Sequence, residues 1–251
     1  MNNIILFNKP FQVLSQFSND GDKKTLAHFI DIPNVYPAGR LDFDSEGLML
    51  LTENGSVQHL ISSPTFKMPK TYWAQVEGIP SEYDLEKLRN GVELKDGITL
   101  PAQAKSITPN SISDRSPPVR FRQAIPTSWV ELKIHEGKNR QVRRMTAAIG
   151  YPTLRLIRVA IGPYSIDTEN LAEGEWKSVP LSPEFQERVF QFEKNRKKST
   201  SRAPTNNSRR HYSKTQSDGS ISTERKTTPN EKTGRKPLSN SKRVARKTTR
   251  S

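Results

Sequence analysis

Arg40, Asp42, Asp44 and Glu46 stand at alternate positions within residues 37–52, and their carboxylates could act as acids, bases, nucleophiles or ligands. At period two the three acids would share one face of a strand. That spacing would suit a magnesium site in a nuclease or the carboxylate pair of a glycosidase. Arg40 beside them argues against a purpose-built cation site, and the plain alternative is a solvated turn closed by a salt bridge. Pro37 and Gly39 precede the acids as turn residues, and the apolar run Leu48-Met49-Leu50-Leu51 follows them. A carboxylate between a turn and a buried run is held at the edge of a core, which suits chemistry better than solvation.

Three further clusters carry polar chemistry. Lys70-Thr71-Tyr72 opens a strand and offers an aromatic side chain for stacking or for the core. Lys138, Arg140, Arg143 and Arg144 fall within seven positions at the opening of a helix. Helix N-termini carry partial positive charge, so these residues read as a phosphate-facing patch or as a solvated helix face. Phe7-Asn8-Lys9-Pro10 ends an apolar run in a turn. His28, His59, His135 and His211 show no metal-ligand spacing, and no glycine-rich phosphate loop is present, so no metal and no cofactor is expected.

The elements that must position these groups are mostly strands. Alternation or apolar runs predict strands at 4–7, 13–17, 48–52, 70–78, 129–134 and 154–161, the last carrying Arg155 and Arg158. Helices are predicted at 56–62, at 81–90 with Tyr83, Leu85 and Leu88 as its apolar face, and at 139–149, closed by Gly150 and Pro152. A helical turn is expected at 25–30, and a polar, proline-containing loop at 108–127. The mixture favours an α+β fold with a largely antiparallel sheet.

Charge divides the chain in two. Residues 194–251 carry 18 Lys+Arg against 3 Asp+Glu, whereas residues 1–193 are nearly neutral with 22 against 23. The first 193 residues can bury an ordinary core, and the remainder has too few apolar residues to offset the entropy of ordering it. A folded domain at 1–193 with a disordered basic tail at 194–251 is therefore expected, the tail either binding RNA phosphates without sequence preference or serving only as a solubilising extension. The absence of cysteine excludes disulfides, thiolate nucleophiles and Cys-ligated zinc. No segment reaches the roughly 18–20 apolar residues that span a bilayer, and residues 1–3 lack a basic leader start, so a soluble, cytoplasmic protein without membrane attachment is expected.

The clusters also resemble, in order, the motifs of the pseudouridine synthases. Gly39-Arg40-Leu41-Asp42, with Ser45, Gly47 and the Leu-rich run, resembles the motif that carries the family's catalytic aspartate. Lys70-Thr71-Tyr72 is similar to the segment bearing the tyrosine that stacks on the target base, and Gly137-Lys138-Asn139-Arg140-Gln141-Val142-Arg143-Arg144-Met145 to the family's third motif. Asn8-Lys9-Pro10 followed by Val13-Leu14 resembles its opening motif.

The match runs from residue 4 to about 180 and is most similar to the RsuA/RluB/RluE/RluF branch, within it to RluE-type members that lack a leading S4 RNA-binding domain. The resemblance implies a pseudouridine synthase fold, with a mixed, mainly antiparallel central sheet flanked by helices. It implies cofactor-free conversion of a uridine to pseudouridine in large-subunit rRNA or its precursor particle, by a monomer. On that resemblance Asp42 is nucleophile or general base, Tyr72 stacks on the base and Arg143 pairs with Asp42. Arg40, Lys9, Lys138, Arg140 and Arg144 are the expected RNA contacts. The rival from another class is a non-catalytic rRNA-binding or ribosome-assembly factor, which would not need Asp42.

Overall fold

The computed structural model describes residues 3–66, 68–109, 112–120 and 122–200. The basic segment beyond residue 200, which holds most of the expected tail, lies outside the described residues. Seven strands make the central sheet: β1 (Asn3–Lys9), β2 (Glu46–Thr52), β3 (Lys70–Glu77), β4 (Gln103–Ile107), β5 (Thr127–Ile134), β6 (Thr153–Ile161) and β7 (Trp176–Pro180). Their order is β7-β1-β2-β6-β3-β5-β4, with two-residue strands added on β2 and β6. Every neighbouring pair is antiparallel except β2 and β6. These two run parallel and meet at only two positions, Ile157 opposite Glu46 and Arg158 opposite Gly47.

That junction depends on one glycine. Gly47 has φ +104°, and a Cβ there would strike the backbone of Arg158. Only a residue without a side chain lets the two strands approach this closely in that conformation. The junction joins the two antiparallel halves of the sheet, and the acids of residues 42–46 lie beside it.

Helices cover both faces. Ile5, Phe7, Met49 and Leu51 pack with Leu85 and Leu88 of α2 (Glu82–Asn90) and Val142 and Met145 of α3 (Gln141–Ala148). Their sequence neighbours Ile4, Leu6, Leu48 and Leu50 pack with Val57 and Leu60 of α1 (Gly55–Ser62) and Phe185 and Val189 of α4 (Pro183–Thr200). A strand buried on both faces has no polar side to show, so β1 and β2 read as unbroken apolar runs. Each large side chain buried this way contributes roughly 1.5–3 kcal/mol. α1 begins after Asn54, whose carboxamide oxygen accepts from the amides of Ser56 and Val57.

The structure departs from the sequence reading in four places. The strand expected at 13–17 is only Val13–Leu14, because Ser15 turns its hydroxyl onto the backbone of Leu41. Tyr83 is 75% exposed. It sits about 200° around the helix from Leu85, so the two cannot share a face. The polar edge strands β4 and β7 were not anticipated. α4 runs past the boundary expected at 193/194.

Candidate active site

Asp42 and Asp44 lie in the turn before β2, and only Glu46 is in the strand, so the three acids do not share a strand face. The backbone of this turn is held at every carbonyl from Arg40 to Asp44. Arg158 Nη1 donates to Arg40 O (3.3 Å), Ser15 Oγ to Leu41 O (2.6 Å) and the Ser45 amide to Asp42 O (3.1 Å). The Gln12 amide donates to Phe43 O (2.9 Å) and Arg143 Nη2 to Asp44 O (2.5 Å). A turn restrained in this way fixes where the Asp42 carboxylate points.

Lys9 supports the same turn from below. Its ammonium is fully buried and donates to Pro10 O (2.7 Å) and Val13 O (2.8 Å), which fixes the strap that carries Gln12 and Ser15. Burial pulls its pKa down to about 7 from the ordinary 10.5, with Glu46 and Asp44 opposing that fall. The expectation that Lys9 contacts RNA is therefore corrected: a side chain with no exposed surface cannot reach a phosphate. Sequence alone did not mark this, since Lys9 closes an apolar run at a turn and its burial shows only once both faces of β1 are covered.

The acids divide sharply by environment. Glu46 is buried and forms a two-pronged pair with Arg155, at 2.7 Å from Nη2 and 2.9 Å from Nε, while Arg155 Nη1 reaches Ser113 O (2.8 Å). Asp44 receives both Nη atoms of Arg140 at 2.8 Å, and Arg143 Nη2 lies 3.5 Å away. The hydrogen bond from Arg140 holds the Asp44 carboxyl below the usual carboxylate range, against desolvation. Asp42, about a third exposed, has one ion-pair partner among the described residues, Arg140 Nη1 at 3.5 Å. The expected Arg143–Asp42 pair is thus not formed; Arg143 is committed to Asp44, Ser45 and Thr153. No three His, Asp or Glu side chains converge as metal ligands among the described residues.

A cleft of about 670 Å³ opens between the acid turn, the start of β3 and residues 134–142. This is within the range of small-molecule sites. Asp42, Arg40, Tyr72, Lys138 and Arg140 line it, as do Lys70 and Arg158, which the sequence reading did not place in the site. Tyr72 is almost wholly buried in the wall, and Lys138 leans on Glu136 at 3.4 Å. Arg140 is at the cap of α3 in the left-handed region (φ 47°), a turn that directs the following helix away. Arg144 does not line the cleft: it pairs with Asp96 at 2.6 and 3.2 Å. Arg155 and Arg158 could have been marked from sequence, because an arginine within an apolar strand needs a built partner.

Fold and site define an enzyme whose cation-lined cleft holds a single loosely paired carboxylate beside an aromatic side chain. Residues 3–148 match the family model for RNA pseudouridylate synthase. The chain is 57% identical over 178 residues to ribosomal large subunit pseudouridine synthase E of Vibrio vulnificus, covering 71% of this chain and 75% of the relative. It is 55% identical over 167 residues to the protein of the same name from Xanthomonas axonopodis pv. citri, covering 65% and 88%. A crystal structure of a pseudouridylate synthase aligns with TM-score 0.59 at 29% identity, covering 76% of this chain and 74% of that one. The chain belongs to the RNA pseudouridylate synthase family.

Proposed function

We propose that this pseudouridine synthase isomerises one uridine of large-subunit (23S-type) ribosomal RNA, with Asp42 as the reacting carboxylate. The observation that carries the reading is how the two carboxylates lining the cleft are used. Glu136 accepts from the Leu100 amide (2.9 Å) and Gln141 Nε2 (2.6 Å), whereas the ion pair of Asp42 among the described residues is the 3.5 Å approach of Arg140. Asp42 is the less heavily engaged of the two carboxylates.

In the reaction the N-glycosidic bond breaks, the uracil turns in the cleft, C5 joins C1′ of the ribose, and the proton on C5 is lost while N1 gains one. An ionised carboxylate promotes this by attacking C1′ or by removing the C2′ proton; both routes use the same unshared oxygen. The base must first leave the helical stack, at a cost of a few kcal/mol. Tyr72 stacks on the extruded ring and holds its π-face without fixing its rotation. Arg40, exposed and free of ion pairs among the described residues, fills the vacated space and reaches the adjoining phosphate, while Lys138 and Arg140 meet phosphates at the rim. Arg143 acts through the turn it anchors. The basic residues after α4 add RNA affinity without sequence preference.

The relatives named above are ribosomal large subunit enzymes, which supports the substrate class, and no described helix is long and apolar enough to cross a membrane. The enzyme works as a monomer in the cytoplasm on rRNA or its precursor particle. Mapping pseudouridine in large-subunit rRNA from cells with and without this protein tests the reading. One position should lose its modification and regain it on complementation; identical maps would overturn the assignment.

A further inference from the structure

The cations lining the cleft are of two kinds. Lys138 and Arg140 are neutralised by Glu136 and Asp44. Lys70, Arg158 and Arg40 line the same cleft and form no ion pair among the described residues. Arg158 is 3% exposed; its Nε donates to Leu48 O (2.8 Å) and its Nη1 to Arg40 O, but its Nη2 has no hydrogen-bond partner among the described residues. The strand register sets Arg158 opposite Tyr72, and Lys70 lies two residues before Tyr72 on the same face of β3. The Lys70 ammonium makes one hydrogen bond, to Met68 O at 3.1 Å. Burial first, and the charge of Arg158 second, lower its pKa to about 8.

Two half-buried or buried cations side by side repel each other, and among the described residues neither Lys70 nor Arg158 has a carboxylate partner, their hydrogen bonds going to backbone oxygens. Arg155, by contrast, is met by Glu46. The arrangement at Lys70 and Arg158 is unfavourable when empty and favourable around an anion, where the low local dielectric strengthens the attraction. The anion must be small enough to share the cleft with a ring lying against Tyr72.

We propose that Lys70 and Arg40, with Arg158 beneath them, form a phosphate subsite that grips the backbone of the nucleotide whose base occupies the cleft. The inference rests on the nucleic-acid substrate proposed above and adds residues to it: Lys70 as a binding residue, and Arg158 as a positioning residue that also holds the acid turn through Arg40 O. A phosphodiester and free inorganic phosphate share the chemistry recognised, whereas an unphosphorylated nucleoside lacks it.

The test measures binding of uridine 5′-monophosphate, uridine and inorganic phosphate to the full chain carrying Asp42→Asn, which prevents turnover. The nucleotide should bind about tenfold more tightly than the nucleoside, the worth of one charge-assisted contact. Inorganic phosphate should compete with the nucleotide and leave uridine binding unchanged. Lys70→Gln should erase the preference and Lys70→Arg should keep it, while uridine binding in both reports an intact cleft. On a 23S-type rRNA transcript, Lys70→Gln should also lessen the slope of log affinity against log salt by about one. Equal affinities for nucleotide and nucleoside, or a preference that survives Lys70→Gln, would overturn the subsite. If the wild-type protein forms no pseudouridine yet Lys70→Gln abolishes the phosphate preference, the functional reading falls and the subsite stands.

Discussion

Glu46 and Asp44, two residues apart, sit in ion-pair clusters of opposite character. Glu46 and Arg155 are buried to 5% and 6% exposure, joined by hydrogen bonds of 2.7–3.2 Å, and tie β2 to β6 where the sheet runs parallel. Asp42 and Arg140 in the cleft wall, and Asp44 beside it, are 35–43% exposed. The buried pair has nothing to exchange with solvent and is a brace. The open cluster can give way to a substrate, and within it the acid proposed to react, Asp42, is the member with the weakest pairing. Tight salt bridging therefore marks the scaffold here, and loose pairing marks the chemistry.

Breaking the brace should have the largest effect on stability. Glu46→Ala leaves the Arg155 guanidinium buried without a counter-charge, a loss of about 3–5 kcal/mol, read from the denaturant midpoint. A loss below about 1 kcal/mol would mean that water reaches the site. Lys9→Met is next in size, because it strips the donor from two buried carbonyls and should cost about 1–3 kcal/mol. It should also change the pH dependence. Between the folded value near 7 and the ordinary 10.5, the unfolded chain holds a proton on Lys9 that the folded chain has released. Stability from this group therefore rises as pH increases through that window, and the methionine variant should lose the rise in unfolding curves at pH 7 and 9.5.

The open cluster should behave in the opposite way. Arg140→Ala should change folding stability by at most about 1 kcal/mol, since its partners are partly exposed. Its effect should appear in the concentration of rRNA needed for half-maximal pseudouridine formation. Arg144→Ala should have the smallest effect on RNA affinity, because Arg144 is held by Asp96 outside the cleft. A weakening as large as that of Arg140→Ala would place Arg144 on the RNA path after all.

Much of this was legible in the sequence where the signal is local. The turn at Pro37-Ala38-Gly39, the apolar run of β2, the alternation of β3 and β5 and the basic opening of α3 each announce an element and place Asp42, Tyr72 and Arg140 at its end. What the sequence did not reveal depends on contacts across the sheet. The pairing of Glu46 with Arg155 spans 109 positions, and the choice of Asp44 over Asp42 by Arg143 is a matter of one turn's geometry. Lys9 reads as a surface cation until β1 is seen to be covered on both faces. Lys70 and Arg158 entered the site only when β3 and β6 were paired. The polar edge strands escaped because each buries only part of one face and shows no strong period.

The most direct measurement compares Asp42→Asn with the wild type on the same 23S-type rRNA substrate, following pseudouridine formation and RNA affinity in parallel. The amide keeps the shape of the side chain and removes the charge that both chemical routes require. Single-turnover isomerisation should fall by at least about a thousandfold, with RNA affinity within about threefold of wild type (under about 1 kcal/mol). Isomerisation at near wild-type rate in the asparagine variant would contradict the account, for it would place the reacting group elsewhere in the cleft.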